Sequence, residues 1–175
     1  LVDLSLFNNN FDLSLKMLNK LEKINWVSTE TAIKKSVIYQ YLKDEDKALD
    51  VLLKLDKIDM RDIDILDRIV NLFIEQKNNS QASTYNKELI KNFPEDPRGY
   101  INNAIIAMGD KNPEDAVKSL SPYVEKFTKN FTFQYLIGTA YYQLRDYENS
   151  KIYLKNALEI YPLSKNTKHN LALIY

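Results

Sequence analysis

Ala48, Ala82, Ala116 and Ser150 stand 34 residues apart, three times running. Two further registers keep the same step without a slip: Tyr39, Phe73, Ala107, Tyr141 and Tyr175, and Ser36, Val70, Ala104, Gly138 and Ala172. A fixed period of this length marks a helix–turn–helix unit used repeatedly. One such unit cannot bury its apolar face alone, so neighbours stack and stability sums along the stack. The period therefore predicts an all-α array with a long surface, not a closed core around one deep pocket. Surfaces of that kind hold other proteins.

The clearest unit spans 131–164. The spacing predicts a first helix from about Phe131 to Leu144, with Ile137, Gly138 and Tyr141 on one stripe. Gly138 lets the partner helix approach closely. Asp146 is placed to cap a second helix that turns Tyr147, Ser150, Leu154, Ala157 and Leu158 inward, and Tyr161-Pro162 ends it. Residues 97–130 repeat the plan, with Asn112 as cap and Pro113 as first helical residue. Pro122 lies inside that second helix and should bend its last turns. Residues 63–96 carry Ile69, Val70, Phe73, Ala82, Tyr85 and Leu89, and close at Phe93-Pro94. Residues 29–62 carry Ile33, Ser36, Tyr39, Ala48, Leu52 and Leu55, but lack a closing proline near Met60. Partial units flank these at 1–28 (a stub at Leu1 to Phe7, then a helix from Phe11 to Ile24) and at 165–175. The expectation is a single array over 1–175, cut from a longer one at both ends.

Only 3 Gly and 5 Pro occur in 175 residues, which suits helices joined by short turns. There is no Cys, so disulfides and thiolate metal sites are excluded, and a reducing cytosol and a bacterial periplasm are both compatible. No apolar run reaches the 18 residues of a membrane span, and no signal peptide is visible. The net charge of zero is unevenly spread. Residues 44–115 hold 10 basic and 16 acidic side chains, net −6. A nucleic-acid binder concentrates basic charge instead, so nucleic acid is not the expected partner.

The combination of Ile137-Gly138 with Tyr141, then Ser150, Ala157 and Pro162, and again Leu171-Ala172 with Tyr175, resembles the tetratricopeptide repeat. Ala82 with Pro94, and Ala104 with Ala116, match in part. The resemblance covers essentially the whole chain. It implies a right-handed superhelical solenoid of antiparallel helix pairs, whose concave wall is lined by first helices and holds a partner peptide or helix. Carried onto this chain, the wall residues are Ile33, Val37 and Tyr41, then Asp64, Asp67, Asn71 and Ile74. They continue as Arg98, Ile101, Ile105 and Met108, then Tyr135, Thr139 and Tyr142, and finally His169. A subset of the family grips C-terminal carboxylates with Lys, Arg and Asn on successive first helices. The corresponding places here are Ile33, Val37, Asp67, Asn71, Ile101 and Ile105, of which only Asn71 fits, and Asp67 would repel a carboxylate.

Tyr135 and Tyr142, seven residues apart, share a face and read either as interface anchors or as packed tyrosines with wet hydroxyls. Ile101, Ile105 and Met108 form a stripe that is contact groove or core. His169, the one histidine, lacks the convergent ligands of a metal or acid–base site. Asp44, Glu45, Asp46, Asp59, Asp62, Asp64 and Asp67 read as turn and capping groups, without the spacing or central glycine of a calcium loop. Asn78-Asn79-Ser80 and Asn130-Phe131-Thr132 match the glycosylation pattern, as an Asn-rich chain does by chance. No phosphate loop, nucleophile elbow or His-Glu-x-x-His occurs. The expected function is a non-enzymatic protein–protein scaffold with no cofactor and no metal. The alternatives are a self-associating array that stacks through its ends, or a regulatory module of a longer protein.

Overall fold

A computed structural model of the chain describes residues 10–24, 28–56 and 62–175. Ten α-helices occur among the described residues, and no strand does: α1 (Phe11–Lys23), α2 (Thr29–Tyr41), α3 (Glu45–Asp56), α4 (Ile63–Glu75), α5 (Asn79–Asn92), α6 (Arg98–Gly109), α7 (Pro113–Leu120), α8 (Phe131–Gln143), α9 (Tyr147–Ile160) and α10 (Lys165–Ala172). They gather into two compact units, residues 1–85 and 86–175, with the boundary inside α5. The stub at Leu1 to Phe7, Asp59 and the exit at Met60 lie outside the described residues.

The period is written most plainly in the helix caps. Asn10, Asp44, Asn78, Asn112 and Asp146 stand 34 apart, each directly before a second helix. Each side-chain oxygen accepts the backbone N–H three residues on, of Leu13, Lys47, Gln81, Asp115 and Asn149, at 3.1–3.3 Å. A second ladder caps first helices: Ser28, Asp62, Asn130 and Ser164 accept from Thr31, Asp64, Phe133 and Thr167. Asp96 holds the missing rung, accepting the Arg98 N–H at 2.9 Å while the Arg98 guanidinium holds its carboxyl below the usual range.

Between the paired helices the chain turns through one repeated left-handed residue. Lys43, Lys77, Lys111 and Arg145 have φ of 57–60°. In each turn the left-handed residue's N–H reaches a carbonyl three back, and the next N–H one five back. That pair of bonds is the Schellman motif. The residue whose N–H closes it is the Asp or Asn that caps the following helix, so one side chain ends one helix and starts the next. Glycine usually fills this position. Here a basic residue does, all four are exposed, and their charge suits the negative end of the helix dipole. A left-handed L-residue costs about 1–2 kcal/mol, and glycine returns part of that gain through its freer unfolded state. Each single change to glycine, Lys111→Gly for example, should therefore raise stability by about 0.5–1 kcal/mol. A lower urea midpoint in any of the four would contradict the assignment.

In residues 1–85, α2 and α3 form a hairpin, α4 packs on both, and α1 packs on α2. Ile38, Ala48, Leu52, Leu66, Ile69 and Val70 are fully buried there. Lys35, its side chain 7% exposed, pairs with Glu22 of α1 at 2.6 Å. The Phe73 ring stacks on Tyr85 at 5.6 Å.

In residues 86–175, α6 pairs with α7, α8 with α9, and α10 packs on α9. Tyr100, Ala104, Ala116, Leu120, Phe133, Ile137 and Ala140 make the core. The small-residue ladder is structural throughout: Ala48, Ala82, Ala116 and Ser150 are fully buried, and so is Ser14 one period earlier. Ser150 also donates from Oγ to the Gly138 carbonyl at 2.8 Å, which explains a hydroxyl at this small position.

Two local expectations need correction. Pro122 does not bend α7 but ends it: the helix stops at Leu120, a 3-10 turn covers Ser121–Tyr123, and looser turns follow to Lys129. Tyr147 does not point inward but is 42% exposed, its ring 6.0 Å from that of Tyr142.

Candidate functional site

Within each unit first helices pack on one another as well as on second helices. In residues 1–85 this brings α2 against α4, and in residues 86–175 α6 against α8. Polar side chains span the gap between neighbouring first helices. Arg68 of α4 donates from Nε to Ser36 Oγ at 3.4 Å and from Nη2 to Gln40 Oε1. Gln40 in turn donates to Glu75 at 2.6 Å. Burial pulls the Arg68 guanidinium below its ordinary value, against the opposing pull of Glu75 and Asp67. Asn170 of α10 sits 3.4 Å from both Tyr135 Oη and Thr139 Oγ1 of α8.

The residues expected on the wall fall into three groups. Some present surface: Tyr41 is 69% exposed and stacks on Phe11 at 5.4 Å, and Asp64 and His169 are exposed. Ile33, Val37, Asp67, Asn71, Ile74, Arg98, Ile105, Met108, Tyr135, Thr139 and Tyr142 are half-buried. Ile101, 8% exposed, belongs to the core, with Ile105 and Met108 packed against it. Asn71 turns back on its own helix, donating to the Asp67 carbonyl at 2.8 Å. That bond engages the one side chain suited to a carboxylate grip. Thr139 likewise donates to the Tyr135 carbonyl at 2.8 Å, which leaves its oxygen to accept from Asn170.

Tyr135 and Thr139 are thus brought together, one turn apart and joined by Asn170. Sequence reasoning singled out neither Asn170 nor Arg68 and Gln40. A signal was present: Arg68 and Asn170 stand three periods apart, at one register position. Among the described residues no three His, Cys, Asp or Glu side chains converge as a metal site would require. No described helix is long and apolar enough to cross a membrane.

Comparison with known proteins agrees with this geometry. The tetratricopeptide repeat family model matches residues 131–162. The search of curated proteins returns no match. Solved structures share the fold over nearly the whole chain. The C-terminal part of a TPR repeat-containing protein from Cytophaga hutchinsonii has a TM-score of 0.77 at 17% identity, covering 99% of this chain and 68% of that one. The pilF protein of Pseudomonas aeruginosa has a TM-score of 0.78 at 16% identity, with 99% and 86% covered. YrrB, described as a TPR protein with an unusual peptide-binding site, has a TM-score of 0.69 at 14% identity, with 96% and 87% covered. Identities this low speak for the fold alone, and it is a fold typically used in protein–protein interaction.

Proposed function

From a chain with the tetratricopeptide-repeat fold, whose residues 131–162 are such a repeat, we propose a non-enzymatic scaffold that holds a peptide or helix of another protein along its first helices. The same proposal divides the chain into one array with units at 29–62, 63–96, 97–130 and 131–164. The observation that carries it is the row of half-buried side chains on adjacent first helices. These are Ile105 and Met108 on α6 and Tyr135, Thr139 and Tyr142 on α8, two helices that pack together. Half-buried aromatic and apolar side chains lose their remaining water when a partner covers them, and tyrosine does so at small entropic cost. The peptide-binding site described for YrrB supports the reading by analogy of fold.

Alanine at both Tyr135 and Tyr142 should weaken a selected peptide ligand by at least about tenfold, the scale of two interface anchors. The helical circular dichroism should stay nearly intact, because neither ring is part of the fully buried core. Unchanged affinity in the double variant would remove the first-helix face from the binding site.

A further inference from the structure

An open pocket of about 440 Å³ lies at the amino-terminal ends of α8 and α10, beside the point where α9 stops. Its walls are aromatic. Phe131 stacks with Tyr135 at 5.9 Å and meets the edge of Tyr161 at 5.6 Å and 85°. Leu163 and Tyr161 also line it while remaining 73% and 50% exposed, so apolar surface faces solvent there. The volume lies at the lower end of the range of ligand pockets and accommodates an aromatic side chain together with the residue next to it.

Charge is one-sided in this pocket. Lys165 is the single charged residue among those lining it. It is the first residue of α10, and Asn166 beside it is the second. Ser164 caps the helix through the N–H of Thr167, and its carbonyl takes the N–H of Lys168. The first two amides of a helix have no partner within it, and the helix dipole adds positive potential there. Aromatic walls, one ammonium and a positive helix end therefore meet around the same opening.

We propose that this pocket takes an aromatic side chain of a partner peptide together with a carboxylate next to it. The proposal rests on the scaffold reading, since Tyr135 belongs to both, and it adds the chemistry of the bound segment. The aromatic side chain packs against Phe131, Tyr161 and Leu163. The carboxylate lies against Lys165 and the opening amides of α10. One cation matches one carboxylate, whereas a nucleic-acid backbone calls for a stripe of cations.

The test uses this chain, labelled with ¹⁵N, and three capped peptides: Gly-Phe-Asp-Gly, the same with Lys for Asp, and the same with Ala for Phe. The first should shift the amide resonances of Lys165 and Asn166 and bind about tenfold tighter than either of the others. Lys165→Glu should reverse the preference between acidic and basic peptides, and Leu163→Ala should weaken all binding about threefold. Both positions are exposed, so the fold is retained, and circular dichroism checks this. Equal affinity for the acidic and basic peptides overturns the proposal, and so does tighter binding of a thymidine oligonucleotide. A peptide that shifts Tyr142 and Ile105 but leaves Lys165 unmoved overturns the pocket while the scaffold reading stands. Absence of any shift at millimolar peptide also overturns the pocket alone, because the scaffold is tested separately by the tyrosine variants.

Discussion

Replacing Gly138 by leucine is expected to destabilise residues 86–175 by about 3 kcal/mol. The glycine does not serve a left-handed turn, since no glycine here has positive φ. Its role is space. A Cβ at this position would stand 2.9 Å from Leu154 Cγ, 3.0 Å from Cδ2 and 3.1 Å from the Leu154 backbone nitrogen. The leucine side chain can rotate away, but the backbone nitrogen moves only if α9 moves. Displacing α9 also breaks the buried bond from Ser150 Oγ to the Gly138 carbonyl. Gly138→Ala should be milder, near 1 kcal/mol, because alanine's helix propensity offsets part of the overlap. Ser150→Ala isolates the bond from the space and should cost about 1 kcal/mol. Urea denaturation of the three variants orders them. A Gly138→Leu midpoint equal to that of the parent chain would show that the helices do not approach as closely as this geometry requires.

That close approach is the part of the fold most legible in the sequence. Small side chains recurring every 34 residues have a single physical use, and all four members of the ladder are fully buried. Cap residues were legible for the same reason at Asn112 and Asp146, where an Asx side chain stands directly before an apolar-periodic stretch. The left-handed residues were not. Glycine is the expected signal at that place, and Lys43, Lys77, Lys111 and Arg145 look like ordinary surface charge. Pro122 is plain in the sequence, but its consequence is not. A bend would have kept Tyr123 and Phe127 on a helix, whereas ending α7 lets both rings reach Tyr100. At the candidate site the period indicates which helix carries Tyr135 and Thr139. It does not fix how far apart neighbouring first helices lie, and that distance decides whether Asn170 reaches across. For the same reason spacing alone does not divide groove from core at Ile101, which the packing of residues 86–175 puts in the core.

Phe133→Ala should be the most damaging truncation in residues 86–175, at about 4 kcal/mol. Phe133 is fully buried, and its ring lies 5.3 Å from that of Phe127. Phe127 in turn lies 6.3 Å from Tyr100, which stacks on Tyr123 at 3.9 Å. This run of rings takes over where Pro122 has ended α7, and it attaches the turns of residues 121–129 to the rest of the unit. The Tyr100 hydroxyl donates to the Pro94 carbonyl at 3.0 Å. Burial, then the neighbouring Tyr123 hydroxyl, push its phenol up to about 12, as expected for a ring closed off from water. Alanine at 133 removes the ring on which Phe127 rests, so the loss combines a cavity with a freed segment. For a unit of this size, 4 kcal/mol corresponds to a fall in Tm of about 20 °C. Phe133→Leu keeps most of the volume and should cost only about 1 kcal/mol. If both variants melt together near the parent temperature, the turns after α7 are held by something other than these rings. If alanine alone falls, the aromatic run replaces the helix turns that Pro122 removes.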